Sequence, residues 1–447
     1  MTKHYDVIII GGGPAGLFAA LELSKSPGLD VLLIEKGKDI DARSNIVSGL
    51  GGAGAFSDGK LTLSPEIGGH LKDYLGMTEA KTMIEYVDGV YLQFGGSKKL
   101  FGIGNEVEKL RQQALSAGLH LVPVPVRHLG TENCRSILKV LRDNLGSNIQ
   151  IRLGVTASEI IVHGGKAVGI VTSSLDKLDC HYLVLAPGRE GASWLSNEAK
   201  RINLTVYNNP VDVGVRVELK AEVMLEITDV LYEAKLEYSS RTFNDRIRTF
   251  CMCPVGEVII ETTGGDDPVI IVNGQSYSAH KTNNTNFALL VTTDFTEPFH
   301  EPIAYGKYLA RLANMLGEGV LVQRLGDLLS GHRSTQSRIE QGAVRPTLRN
   351  ATPGDLSFVL PYRHLTGIIE MLQVMDKLAP GVYGDDTLLY GVEVKFYSHR
   401  PSLTSTLETE VRNLFAIGDG AGVSRGLIQA SASGVIAARQ ILKKCGY

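Results

Sequence analysis

The sequence of 447 residues predicts an α/β protein in which a parallel sheet with helices is interrupted by an inserted, largely antiparallel β domain that also carries helices. Three observations support this. An apolar run opens the chain and enters a glycine-rich turn. Residues 210–300 are rich in Val, Thr and Ile with turn residues between them. A late apolar strand over 414–418 runs into Gly-Asp-Gly-Ala-Gly and a last helix. The first and last segments are expected to form one domain, because the chain leaves it and returns.

The N-terminal segment has the pattern of a dinucleotide-binding βαβ unit. Val7–Ile10 is typical of a buried parallel strand, glycines follow at the G-x-G-x-x-G spacing, and a second apolar strand ends in Glu35. Gly11 would make the turn, Gly13 would let the backbone approach a pyrophosphate, and Gly16 would let the helix pack on the strand. The alternative is a glycine-rich turn in another kind of α/β unit. The candidate binding residues of this unit are Gly11, Gly13, Pro14, Ala15, Gly16, Glu35 and Lys36.

Composition and charge argue against several other classes. The formal net charge of −3 and the lack of a Lys/Arg-rich run disfavour a nucleic-acid partner. Five cysteines, an odd number without zinc-site spacing, predict neither a disulfide framework nor a metal site and favour a reducing, cytoplasmic compartment. No apolar run reaches roughly 18 residues, so no membrane-spanning helix is expected.

Apolar periodicity predicts the elements between these motifs. A second glycine-rich loop over 44–63 is too irregular for a helix or a strand, and a period of two marks strands from residue 149 onward. Helices are predicted over 78–94, 105–118, 131–146, 303–329, 363–377 and from about 427 to 444. Strands are predicted over 149–153, 157–163, 167–172 and 182–186.

Three separated segments resemble the glutathione-reductase-like FAD fold, a Rossmann-like fold of flavoproteins. They are the N-terminal unit, the strand and turn of Tyr182–Gly191, and the Gly-Asp motif of Asn413–Gly420. The resemblance implies FAD as cofactor, with Asp419 at its ribityl or pyrophosphate part. It also implies that the helix opened by Ser424–Gly434 points at the pyrimidine edge of the flavin, where a helix N-terminus stabilises negative charge. The implied contacts outside the N-terminal unit are Gly54, Ser57, Lys60, Val155 at the adenine, Ala186, Gly188, Arg189, Gly418, Asp419, Gly426, Gln429 and Ala430.

The middle of the chain narrows the resemblance. Ser48–Leu61, Phe250–Gly256 and Val272–Ala279 look like a poorly characterised family of bacterial and plastid FAD-dependent dehydrogenases. That family is related to the geranylgeranyl-reductase and aminoacetone-oxidase-like flavoproteins, and it implies no substrate. One departure is visible, because Gly-Gly is expected after the Cys-Pro pair and this chain has Val255-Gly256.

Two motifs of flavoprotein disulfide reductases are absent from the sequence. The first helix, over 14–24, has no cysteine pair, and no G-x-G-x-x-G for a nicotinamide nucleotide is present near mid-chain. We therefore expect NAD(P)H to bind transiently over the flavin, or another donor or O₂ to close the cycle. His70, the histidine nearest the glycine-rich loops, is expected to be a solvated loop residue and not a covalent link to flavin.

Catalytic candidates come from thiol-bearing and polar segments. Cys251 and Cys253 would point to one face of a regular strand, which suits core packing, an active-site lining or redox thiols. His332 and His399 each lie beside an arginine, which suits acid–base chemistry or a hydrogen-bonding loop at the surface or between domains. Arg216, in the middle of a strand, suits either an anion clamp or a buried ion pair.

These observations predict an FAD-dependent dehydrogenase that moves a hydride between flavin N5 and a small organic substrate. The alternatives are an FAD-dependent tRNA-modifying enzyme and a flavin-binding protein with a regulatory role. The substrate pocket is expected between the FAD-binding and cap domains, and the oligomeric state is left open. The expected boundaries are an FAD-binding domain over 1–75, 148–200 and 391–447, a helical segment packed on it over 76–147, and a substrate or cap domain over 201–390.

Overall fold

The structure, a computed structural model, describes residues 3–43, 48–207, 209–263, 267–277, 280–293, 295 and 301–447. Some predictions fall partly outside the described residues. They concern 44–47 of the second glycine-rich loop, 278–279 of the segment Val272–Ala279, and 264–266, 294 and 296–300 of the expected antiparallel region.

The described residues form helices and strands throughout the chain. The helices are α1 Pro14–Leu23, α2 Leu71–Leu75, α3 Met77–Gln93, α4 Asn105–Ala117, α5 Thr131–Asp143, α6 Ala192–Arg201, α7 Ala221–Leu231, α8 Pro302–Gly317, α9 Leu325–Leu329, α10 Gln336–Gln341, α11 Tyr362–Met375 and α12 Leu427–Cys445. The strands are β1 His4–Ile10, β2 Val31–Glu35, β3 Lys60–Thr62, β4 His120–Val122, β5 Val126–His128, β6 Ile149–Leu153, β7 Ala157–His163, β8 Lys166–Thr172, β9 Lys177–Leu185, β10 Val206–Tyr207, β11 Val211–Lys220, β12 Lys235–Ser239, β13 Arg246–Cys253, β14 Glu257–Thr262, β15 Ile270–Gln275, β16 Asn284–Thr293, β17 Leu321–Arg324, β18 Thr352–Pro353, β19 Leu388–Lys395, β20 Arg400–Pro401 and β21 Leu414–Ala416.

The chain divides into two compact units. Unit 1 comprises Met1–Lys99, Arg127–Asn209 and Tyr397–Tyr447, and unit 2 comprises Leu100–Val126 and Pro210–Phe396. The main difference from the expected boundaries is the segment 100–126, which we had placed in a helical segment of the FAD-binding domain. It groups with unit 2 because Val107 and Leu110 of α4 pack into the core of that unit, and because β4 pairs with β12.

Unit 1 is built on a parallel sheet, in agreement with the sequence pattern. The strand order is β6-β2-β1-β9-β8-β7, and β21 also pairs with β9. The pairs β1–β2, β1–β9, β2–β6 and β21–β9 are parallel, whereas β7 and β8 form an antiparallel extension. Val7, Ile8 and Ile9 are fully buried, as a strand covered on both faces requires.

Unit 2 is built on an eight-stranded sheet of order β18-β17-β19-β11-β16-β13-β12-β4. Its pairs are antiparallel except β17–β18, which confirms the largely antiparallel second domain. Alternation along β11 explains the two faces: Val213, Val215 and Val217 enter the apolar core, and Arg216 and Glu218 lie on the opposite face.

The helix predicted over 303–329 is wrong over 318–324, and the chain is helical again in α9, Leu325–Leu329. The helix α8 ends at Gly317, and the next residues, Glu318 and Gly319, have φ angles of +50° and +151°. Val320–Val322 are buried and lead into β17, so their apolar character reflects sheet burial and not a helix face. No helix in the described ranges is long and apolar enough to cross a membrane.

Candidate functional site

The first turn of unit 1 contains three glycines with different surroundings. Gly11 has φ +103°, and a Cβ there would lie 2.1 Å from the Ala186 carbonyl oxygen. A Cβ at Gly16 would lie 2.0 Å from the Gly11 carbonyl oxygen, so these two glycines allow β1, β9 and α1 to pack closely. At Gly13, the N-cap of α1, the nearest described atom to a Cβ is the Gly52 Cα at 3.8 Å. Space is therefore open in front of the α1 N-terminus, where Pro14 and Ala15 begin the helix.

Glu35 is buried at the end of β2 and holds the adjacent loops. Its Oε2 accepts a hydrogen bond from the Gly12 N–H at 2.9 Å, and its Oε1 accepts from the N–H groups of Gly37 and Gly49 at 2.9 and 3.2 Å. The sequence predicts a ribose acceptor here. The structure adds a role in ordering the backbone, because one carboxylate joins three loop segments.

The neighbouring charged residues lie in the same region of unit 1. The Lys36 ammonium is 2.8 Å from Glu190 Oε1, at the start of the segment leading to α6. The Val155 N–H donates to the Glu35 carbonyl oxygen at 3.1 Å. One half of the backbone pair expected to meet adenine is thus engaged within the protein in this structure.

The second glycine-rich loop lies against the N-termini of α1 and α12. A Cβ at Gly54 would lie 2.6 Å from Pro14 Cγ and 2.9 Å from Leu427 Cδ2. The Ser57 hydroxyl donates to the Gly54 carbonyl at 3.1 Å, and the Lys60 ammonium is buried against Asp58 at 2.7 Å. These side chains shape the loop and its turn.

Arg43 also orders this loop and was missed in the sequence. Its Nη1 donates to the carbonyl oxygens of Gly49, Leu50 and Gly52 at 3.2, 2.8 and 2.8 Å. No spacing or motif in the sequence distinguishes this arginine from a surface one, because its partners are backbone groups.

The ends of β9 and β21 lie beside the first turn. The Ala186 N–H donates to the Ile10 carbonyl at 2.8 Å, and Gly188, with φ +63°, has no described atom within 4 Å of a Cβ position. Arg189 follows it, before α6. Gly418 has φ +75°, and its Cβ position is 3.0 Å from Ala15 Cβ. The carboxylate of Asp419, partly exposed, accepts a hydrogen bond from the Ser424 hydroxyl at 2.6 Å.

The start of α12 corrects one expected role. Gly426 is the N-cap, and no described atom lies within 4 Å of its Cβ position. The Ala430 N–H donates to the Gly426 carbonyl at 2.9 Å. Gln429 is 1% exposed, and its amide holds the segment 64–71, accepting from the Leu71 N–H and donating to the Ile67 carbonyl. The Gln429 side chain is therefore engaged within the protein, and the expected cofactor contact of this residue would be made by its backbone in the first turn of α12.

His70 lies in the loop before α2, as expected, but its side chain is only partly exposed and is bound within the protein. Its Nδ1 is 3.0 Å from Asp73 Oδ2, and its Nε2 is 3.3 Å from Nη2 of Arg425. Burial lowers the pKa of His70, and the nearby Arg425 and Arg400 charges lower it further. Arg425, which precedes the N-cap of α12, is a second residue that the sequence patterns did not single out. The sequence feature that could have identified Arg425 is its position one residue before Gly426.

Cys251 and Cys253 lie at an irregularity of β13. The register with β16 shifts between Phe250 and Cys253, and Cys251 has φ +44°. The regular alternation of the strand is therefore interrupted, yet the two sulfur atoms lie within 4.8 Å of each other, so the thiols still lie together. The Cys253 thiol donates to the Cys251 carbonyl oxygen at 3.4 Å and is buried. Val255, where glycine was expected, has φ +46°, a region that a β-branched residue adopts only under strain.

The histidine candidates belong to different units. His399 is in unit 1, with Nδ1 3.1 Å from the Ser196 hydroxyl. His332 is exposed in unit 2 after α9. The strand order places three strands, β19, β11 and β16, between β17 and β13, the strand of the two cysteines. Within unit 2, His332 and the two cysteines therefore sit on well-separated parts of the sheet.

Arg216 is a buried ion pair. Its Nε and Nη2 lie 2.7 and 2.9 Å from the two carboxylate oxygens of Glu393, and both side chains are fully buried. Burial alone would raise the pKa of Glu393, but the charges of Arg216 and Lys395 outweigh it and hold this pKa below its usual value. A residue so fully paired is a structural element of the sheet.

The described residues of unit 1 fit an adenine dinucleotide. The helices α1 and α12 pack closely, because a Cβ at Gly434 would lie 2.1 Å from the Ala15 carbonyl oxygen. Seven residues separate Gly434 from Leu427, so the α12 N-terminus extends about 10 Å beyond this contact. Two helix N-termini and the uncrowded glycines Gly13 and Gly426 thus provide backbone donors at two places along an extended ligand.

Comparisons with family models agree with this geometry. Residues 6–210 match the family model "FAD dependent oxidoreductase", and residues 210–396 match "FAD-dependent protein, C-terminal domain-like". An uncharacterized protein from Clostridium beijerinckii is 27% identical over 483 residues, covering 98% of this chain and 80% of that protein. Digeranylgeranylglycerophospholipid reductase 2 from Methanococcoides burtonii is 47% identical over 51 residues, 11% of this chain and 12% of that protein. Among solved structures, glycine oxidase from Geobacillus kaustophilus is 14% identical with a TM-score of 0.42, covering 99% of this chain and 95% of that one.

The fold and the matched families define a flavoprotein that uses FAD. The chain is an FAD-dependent oxidoreductase, since residues 6–210 match the model of that name and residues 210–396 match the C-terminal-domain model of FAD-dependent proteins. The predicted cofactor and enzyme class are confirmed.

Proposed function

We propose that this oxidoreductase transfers a hydride between the flavin ring and a small organic substrate, as a dehydrogenase. The observation that carries the proposal is the pair of packed helices α1 and α12, whose N-termini are open at Gly13 and Gly426. When bound, FAD supplies the hydride chemistry, and the protein supplies binding, orientation and electrostatics.

Different residues of unit 1 bind different parts of FAD. Gly13, Pro14 and Ala15 offer the α1 N-terminus to the pyrophosphate, since the first turn of a helix leaves backbone N–H groups without partners. Glu35 binds the adenosine ribose with oxygen lone pairs beyond those that accept from the loops. Asp419, beside Gly418 and partly exposed, accepts hydrogen bonds from the ribityl or pyrophosphate part.

The remaining expected contacts fall around these residues. Lys36, Gly54, Ser57, Lys60, Val155, Ala186, Gly188 and Arg189 shape the adenosine and central parts of the cradle. At the far end, Gly426 and the first turn of α12 bind the pyrimidine ring of the flavin. The positive end of the helix dipole favours the form of the flavin that carries negative charge.

The substrate and the second redox partner are defined here only by class. The substrate is a small organic molecule with an oxidisable or reducible carbon centre, such as an amine, a hydroxy or keto acid, or an isoprenoid double bond. The second partner is a transiently bound NAD(P)H or another donor or acceptor, because the sequence has no G-x-G-x-x-G near mid-chain for a nicotinamide nucleotide.

The test begins with the visible spectrum and the flavin content of the purified protein. We expect bound FAD that dithionite reduces under anaerobic conditions, and reduction or reoxidation with turnover by one member of the substrate and donor classes above. Colourless protein that cannot be reconstituted with FAD would contradict the placement of the cofactor. Bound flavin that exchanges electrons with none of these classes would contradict the hydride-transfer proposal.

A further inference from the structure

Arg425 is held rigidly beside the N-terminus of α12. Its guanidinium carbon lies 3.7 Å from the centroid of the Tyr397 ring, within the range of a cation–π contact. Its backbone N–H donates to the Gly68 carbonyl at 2.8 Å. The next residue, Gly426, is the N-cap of the helix, so Arg425 directly precedes in the chain the positive end of the helix dipole.

A histidine and a carboxylate orient this guanidinium. Asp73 accepts from Nδ1 of His70, so the neutral imidazole carries its proton on Nδ1 and Nε2 accepts from Nη2 of Arg425. The His70 backbone N–H donates to the Val423 carbonyl at 2.9 Å, which fixes the ring beside α12. The lowered pKa of His70 keeps the imidazole neutral, because burial and the Arg425 charge both disfavour a second proton.

Arg425 keeps donor capacity that its surroundings do not use. Its Nε is buried and has no hydrogen-bond partner among the described residues, and no carboxylate in that part of the chain lies within 4.0 Å of its guanidinium. A buried donor without a partner costs free energy, so such a group marks a place for a ligand.

An arginine within α12 shows the contrast. Arg439 stacks on Tyr86 with its guanidinium carbon 4.5 Å from the ring centroid, and its Nε is 2.8 Å from Glu22 Oε1. Both arginines lie against a tyrosine, but Arg439 is neutralised by a carboxylate. The two positions are 14 residues apart, about 20 Å along the helix.

We infer that Arg425 is the cationic residue that stabilises the negative charge on the pyrimidine ring of reduced FAD, and that Asp73, His70 and Tyr397 are positioning residues for it. The inference rests on the proposed placement of the flavin at the α12 N-terminus. A fixed cation there binds the anionic reduced cofactor more tightly than the neutral oxidised one and raises the two-electron reduction potential.

The test compares the FAD potential of the wild-type holoprotein with that of Arg425→Gln, Arg425→Lys and the control Arg439→Gln. We expect Arg425→Gln to lose at least tenfold in the preference for reduced over oxidised FAD, a fall in potential of about 30 mV or more. Arg425→Lys should lie between Arg425→Gln and the wild type. Arg439→Gln removes the same charge within α12. In this control, the preference for reduced over oxidised FAD should stay within twofold of the wild-type value.

A second pair tests the positioning role. His70→Leu removes the acceptor for Arg425 and should lower the potential in the same direction by a smaller amount, whereas His70→Gln keeps an acceptor oxygen and should restore it. A potential of Arg425→Gln equal to that of Arg439→Gln overturns the inference. If Arg425→Gln does not retain FAD, unchanged potentials in both Arg425→Lys and His70→Leu overturn it.

The two proposals fail in distinguishable ways. A wild-type protein without bound FAD contradicts the proposed function before any variant is made. If the wild-type protein binds reducible FAD and the variants have unchanged potentials, the proposed function is not contradicted. The role inferred for Arg425 is then wrong.

Discussion

At the residue scale, a substitution at Gly13 should affect FAD binding without affecting folding. Its φ of −75° suits any residue, and an added Cβ would meet the Gly52 Cα only at 3.8 Å. We predict that Gly13→Val folds with an apoprotein thermal midpoint close to that of wild type, yet retains no FAD, because the side chain fills the space in front of α1. Flavin content and apoprotein melting are measured on the same preparation. Near-normal flavin content would show that the pyrophosphate lies elsewhere.

Asp419 tests the late Gly-Asp motif. Asp419→Ala should weaken FAD binding roughly ten- to hundredfold, since losing a hydrogen bond to a charged group costs about 1.5–3 kcal/mol. Titration of apoprotein with FAD measures this. Ser424→Ala is the control, because it removes the described partner of Asp419 and leaves the carboxylate in place. If Asp419→Ala binds FAD within twofold of wild type, the carboxylate does not contact the cofactor.

Cys251 and Cys253 are predicted not to form a second redox centre. The Cys253 thiol is buried and donates to the carbonyl of Cys251. This hydrogen bond suits a thiol that packs at an irregularity of the strand. The double variant Cys251→Ser/Cys253→Ser should keep the flavin spectrum and take up the same number of electrons in an anaerobic dithionite titration. Two additional electrons in the wild type would identify a dithiol–disulfide couple.

At the scale of elements, the contact between α1 and α12 depends on one glycine. A Cβ at Gly434 would lie 2.1 Å from the Ala15 carbonyl oxygen and 2.9 Å from the Ala19 nitrogen, both backbone atoms. Gly434→Ala should therefore lower the free energy of unfolding by about 2–3 kcal/mol, because the helices must separate. Gly89→Ala, in the interior of α3 with open space around it, should raise that energy by about 0.5–1 kcal/mol. Urea unfolding measures the free energy of unfolding of both variants. A change of the same sign in the two variants would contradict the prediction.

Some helices and strands could be predicted from local sequence patterns, and others could not. The strand and helix of the first βαβ unit were predictable because an apolar run, a glycine turn and the apolar helical segment after it are local features. The pattern over 303–329 was ambiguous, because Val320–Val322 suit a helix face and a buried strand equally well. Their pairing with β19, a segment more than 60 residues away, decides the outcome.

At the scale of the whole molecule, each unit has its own apolar core, so FAD should stabilise them unequally. Ligand bound to the native state adds about 2.7 kcal/mol at a hundredfold excess over Kd. Calorimetry of the apoprotein and holoprotein should show one transition raised by FAD, and limited proteolysis should assign it to unit 1. Equal shifts in every transition would mean that the two units unfold as one cooperative structure.

Local chemistry was enough to predict the class of this molecule. The glycine spacing of 11–16, the acidic end of β2 and the Gly-Asp motif before α12 act through turns and helix starts, which neighbouring residues determine. The tertiary structure alone decided what Gln429, His70 and Arg425 do. Gln429 binds the backbone of Leu71, 358 positions away, and Arg425 meets His70 355 positions away. Such pairings carry no local signal, because burial and hydrogen bonding between distant segments arise only when the chain has packed.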